Sequence, residues 1–278
     1  MPLKLMYITN RCDIARIAED SGVDRIFVDL EYIGKTDRQG GMDTVQSKHT
    51  LNDVAMLSGV LSSSELLVRI NPIHEATKEY CSSKEEIDTA IANGADILML
   101  PYFKTVGEVA SFLEYVDGRV KTMPLVETPE AVDLIDEIVA LGGIDEIYVG
   151  LNDLSLGYGK KFMFELLADG TVEKLCTKFR LKGLPYGFGG IAALGKGMLP
   201  SEYVIREHYR LGSSCAILSR SFCNTDLVHD LGEIEMIFRN GLHEIRTLEE
   251  ECALHSNFFS RNHQEVISLI QQIVKQNS

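Results

Sequence analysis

"KTMPLVETPEAVDLIDEIVALGGIDEIYVGLND", residues 121–153, is the stretch on which the fold turns. KTMPLVE is a largely apolar run. After a short polar turn comes AVDLIDEIVALGG, apolar at helical spacing and closing on glycine, a normal helix stop. EIYVGLND then begins a second apolar run. Two strands that need little polar alternation, joined by an amphipathic helix, describe a parallel pair buried on both faces.

The same alternation extends in both directions. KLMYIT, RIFVDLE, ELLVRIN and DILMLPYF precede the unit as strand-like runs; PYGFGGI and SCAILSR follow it. Helical patterns such as DIARIAEDSG, EEIDTAIANGA and SEYVIREHYRLG lie between them. Eight strands in alternation favour a closed (β/α)8 TIM barrel, an α/β fold, over an open doubly wound sheet. The longer intervals after VDLE and after GLND read as inserted loops, which in barrels tend to carry function. Residues 1–278 are expected to form one barrel domain. From about residue 232 to 278 runs a C-terminal helical extension with two patterns, one the eighth barrel helix and one an extra helix. The extra helix needs a surface, on its own barrel or a neighbour's, so the extension is expected to serve packing or oligomerisation.

Composition narrows the function classes. The formal charge of −14 argues against a nucleic-acid partner, because phosphate binding needs a basic face. No apolar run approaches the roughly 20 residues of a membrane span, and the N-terminus turns polar too early for a signal peptide. Six scattered cysteines without a C-x-x-C pair read as reduced, buried thiols. The expected location is the cytoplasm, with no membrane partner.

In a barrel of this kind chemistry sits at the C-terminal strand ends. Strand two ends in Asp29 and Glu31, strand three in Arg69 and Asn71, strand five in Glu127 and strand six in Asp153. Each has a plain structural reading. Thr128 and Pro129 make a helix start beside Glu127, Asp153 can bond its own turn, and Arg69 can pair with Asp29 or Glu31 in the core. Taken together, four converging carboxylates are costly without a cation. A divalent metal relieves that cost, and oxygen ligands suit Mg²⁺ or Mn²⁺ better than zinc. A planar guanidinium suits a carboxylate. A metal beside a carboxylate binder is what a 2-oxo acid needs, because the metal stabilises its enolate. The backbone around Gly150, Asn152 and Asp153 can complete the anion site.

"FVDLE", "LLVRIN", "GADILMLP", "PLVETPEAV" and "IYVGLNDLSLGYG", in this order, resemble the HpcH/HpaI aldolase and citrate lyase beta family over roughly residues 20–225. The resemblance implies a barrel of the phosphoenolpyruvate/pyruvate-binding superfamily and a Mg²⁺- or Mn²⁺-dependent carbon–carbon lyase of class II aldolase type. Its substrate would be a 2-oxo-hydroxy acid cleaved through a pyruvate-type enolate. It further implies Glu127 and Asp153 as metal ligands, Arg69 as the substrate-carboxylate contact, and a homo-oligomer whose C-terminal helix is often exchanged. The alternatives are an acyl-CoA hydroxy-acid lyase and a non-catalytic barrel that retains the metal site.

Two departures bear on the chemistry. The family's short-chain aldolases carry His directly after the residue matching Glu31, where this chain has Tyr32. The loop EYIGKTDRQGGMDTVQSKHT is unlike the CoA lyases and closer to a subgroup associated with bacterial surface-polysaccharide genes. His49, in that loop, is the candidate replacement base, with Glu31 orienting a base or metal-bound water; a solvent-facing histidine is the plain reading. Lys196 and Arg220 are candidate anion contacts near strands seven and eight. His74 can lie beside Arg69 or simply cap a loop.

Overall fold

The computed structural model describes residues 1–35, 48–255 and 257–276. Eight parallel strands close a barrel in sequence order: β1 Lys4–Ile8, β2 Arg25–Asp29, β3 Glu65–Arg69, β4 Ile97–Leu100, β5 Lys121–Val126, β6 Ile147–Val149, β7 Tyr186–Ile191 and β8 Cys215–Leu218. β1 pairs with both β2 and β8, which completes the ring. The TIM-barrel expectation therefore holds.

The period of two along each strand divides the apolar residues between two cores. Ile26 and Val28 of β2 face the outer layer of helices, while Phe27 points into the barrel. The interior is filled by Met6, Phe27, Leu67, Met99, Met123 and Tyr148 among others, so it is a packed core rather than a pore. Its floor is polar. Arg25 is fully buried and donates to Glu65 at 2.9 Å and to both oxygens of Glu146 at 2.9 and 2.5 Å. The β2–β3 register places Arg25 opposite Glu65.

Local chemistry starts the helices where it should. Thr50, Ser82 and Thr105 each form a capping box with the acid three residues on. Thr128 caps the helix Pro129–Asp133 by accepting from the Ala131 N–H at 3.1 Å, as the sequence implied. The helix Leu231–Leu254 packs on helices Cys12–Asp20 and Ser201–Leu211. Its Glu249 accepts from the Leu3 N–H at 2.6 Å, which ties the barrel's eighth helix to the N-terminus. The extra helix, Phe259–Gln276, lies on the chain's own barrel against helices Ser201–Leu211 and Glu165–Ala168. There Asn262 and His263 meet the fully buried Glu207 at 3.0 Å each.

Three expectations need correction. β6 stops at Val149, and Asn152 and Asp153 lie in the first turn of a short helix, Leu151–Gly157, with Gly150 at its N-cap. β3 stops at Arg69, and Asn71 turns away to bond Glu86 at 2.8 Å. Of the cysteines, Cys176, Cys215, Cys223 and Cys252 are buried, whereas Cys81 is exposed and Cys12 half-buried. Most of the loop after Glu31, residues 36–47, lies outside the described residues.

Candidate active site

The C-terminal mouth of the barrel holds a cavity of about 580 Å³. Arg69, His49, Glu127, Gly150, Asn152 and Asp153 all line it, so these sequence-nominated residues meet in one place. Glu31 stands behind Arg69, 3.4 Å from its guanidinium. Arg220 lines the cavity; Lys196 is not among its lining residues. His74 latches its own loop instead, with ring nitrogens 2.7 Å from the Pro72 carbonyl and 2.8 Å from that of Cys81.

Asp29 organises the cationic side. Arg69 donates to it through two bonds, Nε to Oδ1 and NH2 to Oδ2, each 2.8 Å, and Lys35 Nζ donates to Oδ2 at 2.8 Å. Burial works against ionising Asp29, but the Arg69 and Lys35 charges outweigh it and hold the carboxylate below its ordinary range. Lys35 also lies 3.6 Å from Glu31. Two carboxylates and two cations thus balance each other here, and these two acids do not call for a metal. Of the four carboxylates expected to need a cation from outside, Asp29 and Glu31 have Arg69 and Lys35 instead. Lys35 escaped notice in the sequence, since it sits beyond the strand end where no periodicity marks it.

The other carboxylates form a different environment. Glu127 is 3% exposed and accepts from the Tyr102 N–H at 2.9 Å. Tyr102 adopts φ 47°, uncommon for a residue with a side chain. Burial, then the nearby Glu31 and Asp153 charges, push Glu127 well above the ordinary carboxylate value, against the pull of Arg69. Glu127 and Asp153 also border a second cavity of about 380 Å³ on their far side, beside Tyr102, Lys104 and Glu130. A cation between Glu127 and Asp153 would reverse the cost that Glu127 carries. No group of three His, Cys, Asp or Glu side chains among the described residues is arranged to hold a metal. A two-carboxylate pair is the donor set for a hard cation that completes its shell with water or substrate.

Gly150 has a role other than anion binding. Its N–H is spent on the Val126 carbonyl at 3.0 Å. A Cβ there would come within 2.8 Å of Glu127 Oε2 and 2.9 Å of Glu127 Cβ, so glycine leaves the space that Glu127 fills.

His49 is 9% exposed, and its Nδ1 accepts from the Asp29 N–H at 3.0 Å. That bond places the ring proton on Nε2. Burial lowers the ring below its usual value despite Asp29 and Asp53. His49 therefore meets the cavity as a neutral donor, not with the vacant nitrogen a base requires. Tyr32 stands outside, 40% exposed, with its ring 6.1 Å from that of Tyr80.

The HpcH/HpaI aldolase/citrate lyase family model matches residues 5–168, more than half of the chain and including Glu31, Arg69, Glu127 and Asp153. The chain belongs to this family. Within the HpcH/HpaI fold, it is similar to an HpcH/HpaI aldolase from Desulfitobacterium hafniense DCB-2, 18% identical, with a TM-score of 0.61 over 88% of this chain and 93% of that one. An HpcH/HpaI aldolase/citrate lyase family protein from Burkholderia cenocepacia J2315 gives 16% identity and a TM-score of 0.58, covering 88% and 95%. The citrate synthase SbnG gives 15% and 0.57, covering 90% and 95%. At such identities the structural likeness speaks for the fold alone. No curated protein matches the chain.

Proposed function

We propose that this HpcH/HpaI-family chain is a divalent-metal-dependent carbon–carbon lyase that acts on a 2-oxo-hydroxy acid through a pyruvate-type enolate. The observation that carries the reading is the pair Glu127 and Asp153, both buried at the mouth of the barrel, where burial and neighbouring negative charge raise Glu127 well above the ordinary carboxylate value. The donor set suits Mg²⁺ or Mn²⁺. When bound, such an ion would supply Lewis-acid stabilisation of the developing enolate oxygen.

The chain's own residues supply the rest. Arg69 has committed its Nε and NH2 to Asp29, which fixes the plane of the guanidinium. Its NH1 lies 3.4 Å from Glu31, and the hydrogens that these two acids do not take would grip a substrate carboxylate end-on, in a position set before substrate arrives. Asn152 borders the same space and His49 offers its Nε2–H. The apolar walls, Phe27, Met99, Leu125 and Leu151, exclude water from the reacting carbons. A cavity of this size holds far more than a three-carbon acid, which leaves room for an aldehyde half.

The test follows pyruvate methyl protons by NMR in D₂O with Mg²⁺ or Mn²⁺ and then with chelator. Metal-dependent exchange that is lost in Glu127→Gln supports the enolate reading. Metal binding with no exchange, and none with other 2-oxo acids, would leave a barrel that keeps the ion without the chemistry.

A further inference from the structure

An enolate reaction needs a group that moves a proton to and from carbon, and Tyr32 stands where the family's short-chain aldolases have histidine. Besides its arginines, several titratable side chains line the cavity; of these Lys48 and Asp226 are solvent-exposed, and burial raises the Cys223 thiol. Tyr7 gives its hydroxyl proton to the Cys223 carbonyl at 3.1 Å, and burial raises it well above its usual value. Tyr148 is raised too, by burial, with its hydroxyl bonded between Gly189 and Ile217. Asp29 is held ionised by Arg69 and Lys35. His49 has its Nδ1 occupied. Glu127 and Asp153 form the carboxylate pair already described.

Lys35 fits what is missing. It is 5% exposed and lines the cavity. Of its three N–H donors, Asp29 takes one at 2.8 Å, and Glu31 lies beyond hydrogen-bond length at 3.6 Å. At least one N–H is thus left for substrate. Among the described residues, the charged and titratable groups around it are Asp29 and Glu31, with Arg69 and His49 beyond them.

We propose that Lys35 is the acid–base group of this site, held on Asp29 and exchanging the C3 proton of the bound 2-oxo acid; this rests on the enolate reading above. In one direction the Lys35 amine takes a proton from C3. The C–H electron pair becomes the C=C bond, and the carbonyl π pair moves onto oxygen. In the other direction the ammonium returns a proton to C3, the C=C pair forms the C–H bond, and the carbonyl is restored.

The experiment measures metal-dependent methyl exchange of pyruvate in D₂O for wild type, Lys35→Ala and Lys35→Arg. Pyruvate and Mn²⁺ binding are measured on each. Lys35→Arg keeps a cation on Asp29 but cannot release a proton. Both variants are expected to bind metal and to lose at least about 100-fold in exchange rate. Added primary amines should restore Lys35→Ala, with the pH profile following the basicity of the amine. Exchange by Lys35→Arg within about threefold of wild type, or a Lys35→Ala loss that no amine restores, would overturn the proposal. Absence of exchange in the wild type would fail the enolate reading itself, and the role of Lys35 with it.

Discussion

Glu127 occupies the space that a side chain at position 150 would need: a Cβ on Gly150 would lie 2.8 Å from its Oε2. Placement of the buried carboxylate therefore depends on a hydrogen atom one strand away. Gly150→Ala should lower divalent-metal affinity by about 10–100-fold, the usual cost of disturbing what orients a ligand. Overpacking should cost about 1–3 kcal/mol of stability. Mn²⁺ titration and a urea melt of the same sample separate the two effects.

Glu127 itself should oppose folding of the metal-free protein. Its native value is raised by burial and by Glu31 and Asp153, so the folded state binds more protons than the unfolded one. The stability cost is full above the native value and fades as pH falls through it towards the ordinary carboxylate range. Metal-free Glu127→Gln should therefore melt above wild type at neutral pH, and the gap should close on acidification. Calorimetry across that range reads the sign directly. Wild-type metal binding should also release protons, which titration in buffers of different ionisation enthalpy detects.

Asp29 behaves in the opposite sense. Arg69 and Lys35 lower its native value, so its contribution is present above the unfolded carboxylate value and is lost as pH falls through the native one. Asp29→Asn leaves two buried cations under-compensated and should cost about 3–5 kcal/mol. Denaturant melts at neutral pH and at the acid end should show the deficit shrinking.

Tyr148 spans the barrel where β7 and β8 lose register between Gly187 and Gly190. Its hydroxyl donates to the Gly189 carbonyl and accepts from the Ile217 N–H, standing in for the interrupted ladder. Tyr148→Phe leaves both backbone groups unmet and should cost about 1–3 kcal/mol in a urea melt.

The eight strands were legible because burial on both faces leaves no polar alternation, and Thr128-Pro129 announced a helix by local chemistry alone. The extent of β6 was not legible: Gly150 and Leu151 continue an apolar run, and only the three-dimensional turn puts Asp153 on a helix. The helix Thr171–Leu181 went unread inside what looked like an inserted loop. Arg69 ends β3 and Glu127 directly follows β5, so both could be nominated from strand-like runs. Lys35 could not, since its importance comes from reaching back to Asp29 across a turn. Arg25 opens the RIFVDLE run, and the β2–β3 register sets it against Glu65. For Arg25, what escaped the sequence was pairing with charges distant along the chain, Glu65 and Glu146.

The measurement closest to the central claim is Mn²⁺ binding by electron paramagnetic resonance, with and without pyruvate, for wild type and Glu127→Gln. One ion per chain in wild type, a signal altered by pyruvate, and at least about 100-fold weaker binding in Glu127→Gln are expected from a two-carboxylate site that takes substrate as ligand. Equal Mn²⁺ binding by the two proteins, or none by either, would contradict it.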